Sequence, residues 1–363
     1  MRSGVIEKLY IDLEKNHLDS LIISSQPNIF YLTGFPSNDS YLLVTFKKNI
    51  FITDFRYLEE AKEKLENLDI KKINSSFFKS IAKLASKLKL KYLGFEAKSL
   101  GFAEYQKIKE NLPQKTEFIP TYDLVERLRL IKDREEIDKI KRAVQIAIRA
   151  FRFVKGVIKP GMKELDLAVE IECFIRRQGA LGVSFPIIIA SGPHSSFPHA
   201  LTTERIIRDN EPVLIDLGVD FSGYKSNLTR SLFLGKMTKK FLKVYNVVLE
   251  AQRRAIVLIR EGIPINRIDR AARNFISKKG WGRFFGHNLG HGVGLEIHEE
   301  PTISKRNNNR TKADMVFTIE PAIYIPGEFG VRIEDMVLVK RGGFEVLSGN
   351  LHKSIEEWSD FIS

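Results

Sequence analysis

Cysteine is nearly missing from this chain: Cys173 is the only one in 363 residues. One thiol closes no internal disulfide, which fits a reducing cytoplasm. Lying within EIECFIRR, it is read as a packed helix residue rather than a nucleophile. Long apolar runs are missing too. None approaches the ~18–20 residues needed to span a bilayer, so no membrane partner is expected. The opening MRSGVIEKLYIDLEKN has acids and no apolar stretch, so a secretory leader is not expected either. The third absence is a block of one charge. The formal net charge is +13, yet lysines and glutamates interleave, as in YLEEAKEKLE and KDREEIDKIKR. With no basic run and no zinc-finger spacing, the excess reads as a solvated surface rather than a nucleic-acid interface.

What is present suggests two domains. Up to about residue 120, strand-length apolar runs (LDSLIISS, SYLLVTF, NIFITD, KYLGFEA) alternate with helix-like ones (VIEKLYIDLEKNHL, FRYLEEAKEKLE, FAEYQKIKENL). That is the pattern of an α/β domain. Past Pro120 the pattern changes. Ile137, Ile140, Ala143, Val144, Ala147, Ala150, Phe151 and Val154 mark one face of a long helix. The expected domains are 1–124 and 125–363.

The second part repeats itself. VIKPGMKELDLAVEIECFIRRQG (157–179) aligns without gaps on LIREGIPINRIDRAARNFISKKG (258–280), 101 residues later. Each copy reads as a loop and a helix stopped by glycine. Each is followed by strands with two carboxylate-type positions, Asp216 and Asn227 in the first half, Glu320 and Glu334 in the second. A duplicated half-domain would bring these pairs together at its centre.

Carboxylates among strand formers need a reason, because a buried charge is costly unless paired or bound to a cation. Asp216 lies in VLIDLG, Glu320 in VFTIEPAIYI and Glu334 in GVRIEDMVLV. His287, His291 and His298 crowd into FFGHNLGHGVGLEIHEEP, where glycines allow close backbone approach. His199 is a further candidate in SGPHSSFPHALTT, and His194 beside it reads as a solvated loop residue. Imidazole with several carboxylates suits Mn²⁺, Co²⁺, Zn²⁺ or Fe²⁺, and several carboxylates can bridge two ions that activate water.

These segments resemble the pita-bread metallopeptidases, the group of methionine aminopeptidase, aminopeptidase P and prolidase. The resemblance rests on LIDLG, GHGVGLEIHEEP, FTIEPAIYIPG, VRIEDMVLV and FPHALTTERII, with YLTGF and TDFRYLEEA pointing to the prolidase branch. It implies an α/β N-terminal domain of creatinase/prolidase type, then an α+β pita-bread domain with an internal pseudo-two-fold repeat. It also implies metal-dependent hydrolysis of Xaa-Pro bonds in dipeptides or short peptides with a free N-terminus. Asp216 would hold one metal ion and His291 with Glu320 the other, with position 227 and Glu334 bridging both. Glu320 would be the general base. His298 and His199 would orient the scissile carbonyl, and His287 and Arg332 would line the substrate pocket. A homodimer is implied as well.

One residue departs from the family pattern. Position 227 should be aspartate and is asparagine. An amide brings one carbonyl oxygen and no charge, so the second ion should bind more weakly. Three readings stay open at this level: a peptidase relying on one tightly held ion, a relative that binds peptides or proteins without turnover, and a once-active site altered at this position.

Overall fold

The computed structural model describes residues 2–73 and 76–355. It divides into two compact units, Met1–Arg129 and Leu130–Ser363. The division lies just past position 124 because Asn28 and Tyr31 bind the segment that follows. Asn28 donates to Glu126 at 2.8 Å and accepts from Arg129 at 2.8 Å, and Tyr31 donates to the Leu128 carbonyl at 3.0 Å.

The first unit runs α1 (Ser3–Lys15), β1 (Ser20–Ile23), α2 (Gln26–Thr33), β2 (Tyr41–Thr45), β3 (Ile50–Thr53), α3 (Phe55–Lys64), β4 (Asp69–Lys72), α4 (Phe77–Leu88), β5 (Tyr92–Glu96), α5 (Phe102–Asn111), β6 (Glu117–Thr121) and α6 (Glu126–Arg129). Its strands form one mixed sheet in the order β4-β3-β2-β1-β5-β6. Every position of β1 and β3 is buried, so these strands read as continuous apolar runs rather than alternating ones. Glu96 ends β5 inside this core. Its carboxylate accepts from the Ser24 and Ser25 backbone N–H groups, each at 2.7 Å, where α2 begins.

The second unit runs α7 (Arg134–Val157), α8 (Glu164–Arg177), β7 (Gly182–Val183), β8 (Ile188–Ser191), β9 (Pro212–Leu217), β10 (Val219–Phe221), β11 (Tyr224–Lys225), β12 (Leu228–Phe233), α9 (Lys239–Ile256), α10 (Ile265–Lys278), β13 (Gly290–Gly292), β14 (Glu299–Ile303), β15 (Val316–Ile319), β16 (Ala322–Ile325), β17 (Phe329–Arg332), β18 (Asp335–Val339) and β19 (Phe344–Val346). The two sheets that matter for the site are β12-β9-β8 and β14-β13-β15-β18-β19. Asp133 and Glu136 start α7 with a reciprocal capping box, and all eight apolar positions read from its sequence are buried.

The repeat is built into the backbone. Helices α8 and α10 both start and end 101 residues apart. Gly161 and Gly262 precede them, Gly179 and Gly280 follow them, and all four have positive φ. Before each helix the chain bridges a returning segment, Lys163 with Ile206 and Pro264 with Arg310. Helix α8 packs on α7, and α10 packs on α9.

One expectation is corrected here. Cys173 is exposed, not packed. The buried face of α8 runs through Leu167, Ile171 and Ile175, and Cys173 sits midway between two of these on the opposite side. Packing of α9 on α10 gathers Arg254, Arg267, Arg270 and Lys278 around one open groove of about 420 Å³. Among the described residues, no helix is long and apolar enough to cross a membrane.

Candidate metal centre

Strand register places the first half of the site. In the antiparallel pair β9–β12, Asp216 stands opposite Thr229. Strands β10 and β11 turn through Ser222 and Gly223, with φ of 53° and 85°. Two left-handed residues in a two-residue loop match the right-handed twist of the strands. Asn227 occupies the break between β11 and β12, buried, with its backbone N–H donating to the Met336 sulfur at 3.3 Å.

The second half places the glutamates at strand ends rather than inside strands. Glu320 follows β15 directly, and its N–H donates to the Leu289 carbonyl at 2.8 Å. Glu334 lies between β17 and β18, and its N–H donates to the Thr229 carbonyl at 3.1 Å. That bond crosses from one repeat to the other.

His291 sits at the centre of β13, where glycine is required by space. A Cβ on Gly290 would stand 2.0 Å from the Thr318 carbonyl oxygen, and one on Gly292 would stand 2.2 Å from that of Glu300. No real Cβ tolerates such contacts, so the spacing of GHG lets β13 press between its neighbours. The His291 Nδ1–H donates to the Gly292 carbonyl at 3.0 Å, which leaves the Nε2 lone pair facing the cluster.

Ligand atoms of His291, Glu320 and Glu334 all lie within 4.8 Å of one another. His291 Nε2 is 3.4 Å from Glu320 Oε1 and 3.5 Å from Asn227 Nδ2. Asp216 stands outside this trio, and its Oδ2 accepts from Arg332 Nη2 at 2.5 Å. Glu334 Oε2 accepts from the Thr229 hydroxyl at 2.7 Å. The opposite oxygens, Asp216 Oδ1 and Glu334 Oε1, are buried with no hydrogen-bond partner among the described residues, and so is Asn227 Oδ1. Unpaired buried acceptors are rare and costly. Three in one site, beside an imidazole lone pair, suit a bare cation.

Electrostatics point the same way. Burial pushes the Glu320 carboxyl up to about 8; Arg332 opposes this and Asp216 adds to it. Burial, then Glu320 and Asp216, drive Glu334 well above the ordinary carboxylate range. Burial lowers the His291 imidazole. Without a positive ion both glutamate carboxyls favour the protonated form, chiefly because burial penalises the charge and then because neighbouring carboxylates repel it. A divalent ion supplies the missing charge, so the donor set fits a divalent metal of the Mn, Co, Zn or Fe kind.

The other histidines ring this centre. The His298 ring meets His291 edge to face at 4.3 Å and is itself shifted down, chiefly by burial. His287 is lowered to about 4, chiefly by burial and then by Arg332. Its Nδ1 donates to the Asn288 carbonyl at 2.7 Å, and its Nε2 accepts from the Tyr324 hydroxyl at 3.4 Å. Tyr324 in turn accepts from Arg332 at 2.6 Å. Arg332 makes further bonds to Thr229 and to the Pro198 carbonyl, so it is anchored rather than free. His199 is exposed on the loop after β8, close enough for its charge to bear on His287 and His298.

His194 is not a solvated loop residue: its Nδ1 lies 2.9 Å from the fully buried Glu164 carboxylate. Sequence reasoning also missed Gln252. From inside α9 its amide donates to the carbonyls of Ile319 and Ile333 at 3.1 and 2.9 Å. Those residues immediately precede Glu320 and Glu334, so one side chain sets the spacing of both. A buried glutamine on an apolar helix face was the only available signal. Tyr324 and Thr229 gave none.

Residues 138–341 match Metallopeptidase family M24. This chain belongs to that family. Residues 6–131 match the Creatinase/Prolidase N-terminal domain, so the fold is that domain followed by a pita-bread metallopeptidase domain. An Xaa-Pro dipeptidase of Pyrococcus horikoshii is 36% identical over 94% of this chain and 96% of its own length. The solved structure of an Xaa-Pro dipeptidase from Bacillus anthracis superposes with a TM-score of 0.92 at 38% identity, covering 96% of this chain and 97% of that one. An X-Pro aminopeptidase from Thermotoga maritima gives 0.86 at 35%, over 93% and 97%. Membership of the family implies divalent metal ions, and His291, Glu320 and Glu334 are the group that could hold one.

Proposed function

We propose that this metallopeptidase hydrolyses the Xaa-Pro bond of dipeptides or short peptides from a free N-terminus. The observation that carries the reading is the convergence of His291, Glu320 and Glu334 within 4.8 Å. The peptide class is supported by relatives that bear Xaa-Pro dipeptidase and X-Pro aminopeptidase names.

His291, Glu320 and Glu334 would hold one ion firmly. Asp216, Asn227 and Glu334 would form a second, weaker position. There the amide brings no charge, and the Asp216 charge is already opposed by Arg332 at 2.5 Å. A bound divalent ion supplies Lewis acidity, lowering the pKa of water towards neutrality and polarising a carbonyl.

The chain's own groups do the rest. Glu320 takes the proton from the attacking water and returns it to the departing proline nitrogen. His298 and His199 orient the scissile carbonyl and donate to its oxygen as negative charge builds. His287 has both ring nitrogens engaged, so it serves as a wall for the substrate side chain rather than a donor. Arg332 holds Asp216 and the Pro198 carbonyl in place and touches substrate only through them. Family likeness makes a homodimer the expected assembly, which sedimentation tests.

The deciding experiment is hydrolysis of an Xaa-Pro dipeptide against the same dipeptide with alanine replacing proline, with Mn²⁺ and with chelator. Mn²⁺-dependent cleavage of the proline peptide alone is the expected result. A second reading, peptide binding without turnover, rests on the neutral Asn227. Tight binding of the dipeptide with no cleavage would favour it.

A further inference from the structure

Glu164 opens α8, and none of the steps above uses it. Its side chain is shut off from solvent. Its carboxylate gathers donors from two points far apart in the chain. Oε1 accepts from the Ser191 N–H at 2.7 Å and the Ser191 hydroxyl at 2.8 Å. Oε2 accepts from the Thr203 hydroxyl at 2.9 Å and the Thr203 N–H at 3.3 Å. The His194 Nδ1–H donates between them, 3.0 and 2.9 Å from the two oxygens.

Ser191 is the last residue of β8, and Thr203 is where the chain returns to the start of α8. The segment between them carries His199. One buried carboxylate therefore closes both ends of that loop. The middle is pinned more lightly: the Ser195 hydroxyl accepts from the Gly330 N–H at 2.9 Å, and Arg332 donates to the Pro198 carbonyl at 3.0 Å. His199 itself is exposed, so its place depends on these anchors rather than on packing.

We propose that Glu164 is a positioning residue of the peptidase: by tying Ser191, His194 and Thr203 to one carboxylate, it sets where His199 meets the substrate. This rests on the reading that His199 contacts the peptide. The chemistry rewards such a clamp, because a misplacement of about 1 Å can cost about a hundredfold in rate.

The test uses the full chain with Glu164→Ala, Glu164→Gln, His199→Ala and the double variants. Glu164→Ala should lower kcat/KM for an Xaa-Pro dipeptide by about 10–100-fold with unchanged Mn²⁺ stoichiometry. Glu164→Gln keeps the shape but loses one acceptor, so it should fall between. Adding His199→Ala to Glu164→Ala should cost little more, because the two act through one contact. Hydrogen exchange should quicken in 192–203 and stay unchanged in 316–339. Losses that multiply independently, or exchange in 192–203 that does not change, would overturn the clamp. If His199→Ala alone leaves the kinetics intact, the role given to His199 falls, and hydrogen exchange by itself decides for or against Glu164. If the alanine variant does not fold, the glutamine variant carries both measurements.

Discussion

The Asn227 amide nitrogen lies 3.5 Å from His291 Nε2, on the side where that imidazole offers its lone pair. An N–H facing a lone pair is a weak hydrogen bond in the ion-free site. It is the wrong polarity for holding a cation there. With an ion on Nε2 the amide must present its oxygen, which is buried and without a partner. We propose that Asn227 weakens the centre in two ways, by bringing no charge and by this orientation of its amide.

Asn227→Asp restores the charge. At an effective dielectric near 20, one unit charge about 4 Å from another is worth about 4 kcal/mol, doubled for a divalent partner. The second Mn²⁺ should then bind at least about tenfold more tightly, with a rise in Xaa-Pro cleavage. Titration calorimetry on the metal-free chain reads the first and initial rates read the second. Equal affinities in the two proteins would remove Asn227 from the account.

The glutamate shifts make ion-free stability depend on pH. The folded Glu320 carboxyl sits near 8, above its ordinary 4.5, and Glu334 is raised as well. A folded state that keeps protons the unfolded state has lost is penalised as pH rises. The stability linked to Glu320 is present below about 4.5 and is lost by about 8. Thermal melts in chelator should fall across that window, and added Mn²⁺ should raise Tm more at pH 8 than at pH 5. A flat chelator profile is the contrary result.

Arg230 and Asp335 test the support under the site. Their side chains pair at 2.8 Å, both fully buried, and Arg230 also donates to the Glu334 carbonyl at 2.6 Å. Burial raises the Asp335 pKa, but Arg230 and Lys353 outweigh it and bring it to about 2. Arg230→Met removes the first of the groups that hold Asp335, leaving Lys353 and Ser348, and takes a donor from the Glu334 carbonyl, so it should cost about 1–3 kcal/mol in denaturant unfolding. The sign at low pH is opposite to that of Glu320. This contribution is complete above about 3.8 and disappears as pH falls through about 2.

Gln252→Leu keeps the volume and strands the Ile319 and Ile333 carbonyls. Each buried acceptor left unpaired costs about 1–3 kcal/mol. The glutamates that follow these carbonyls should lose their spacing, so Mn²⁺ affinity should drop along with stability. A variant that is less stable but binds Mn²⁺ normally would mean Gln252 supports only the fold.

The sequence by itself determined the kind of molecule. Strand-length apolar runs marked β1, β2, β3 and β5, and the spacing from Ile137 to Val154 marked α7. The 101-residue repeat marked two half-domains. These signals are local: a strand buried at every position, a helix with one apolar face and a glycine at positive φ all leave their mark on nearby residues. Carboxylates among strand formers stood out for the same reason, since burying them demands compensation.

Tertiary structure alone decided how those residues meet. No spacing showed that Arg332 would neutralise Asp216, that Gln252 would hold the backbone ahead of both glutamates, or that Glu164 would close the loop carrying His199. These are hydrogen bonds between residues tens of positions apart, and one polar side chain in a helix looks the same whether it meets water or a distant carbonyl. A distant buried partner claims His194 for that reason, whereas the exposure of Cys173 follows from helix phase, a local signal. Asn227 was legible as a missing charge. Only the fold showed that its nitrogen faces His291 and that its buried oxygen has no hydrogen-bond partner among the described residues.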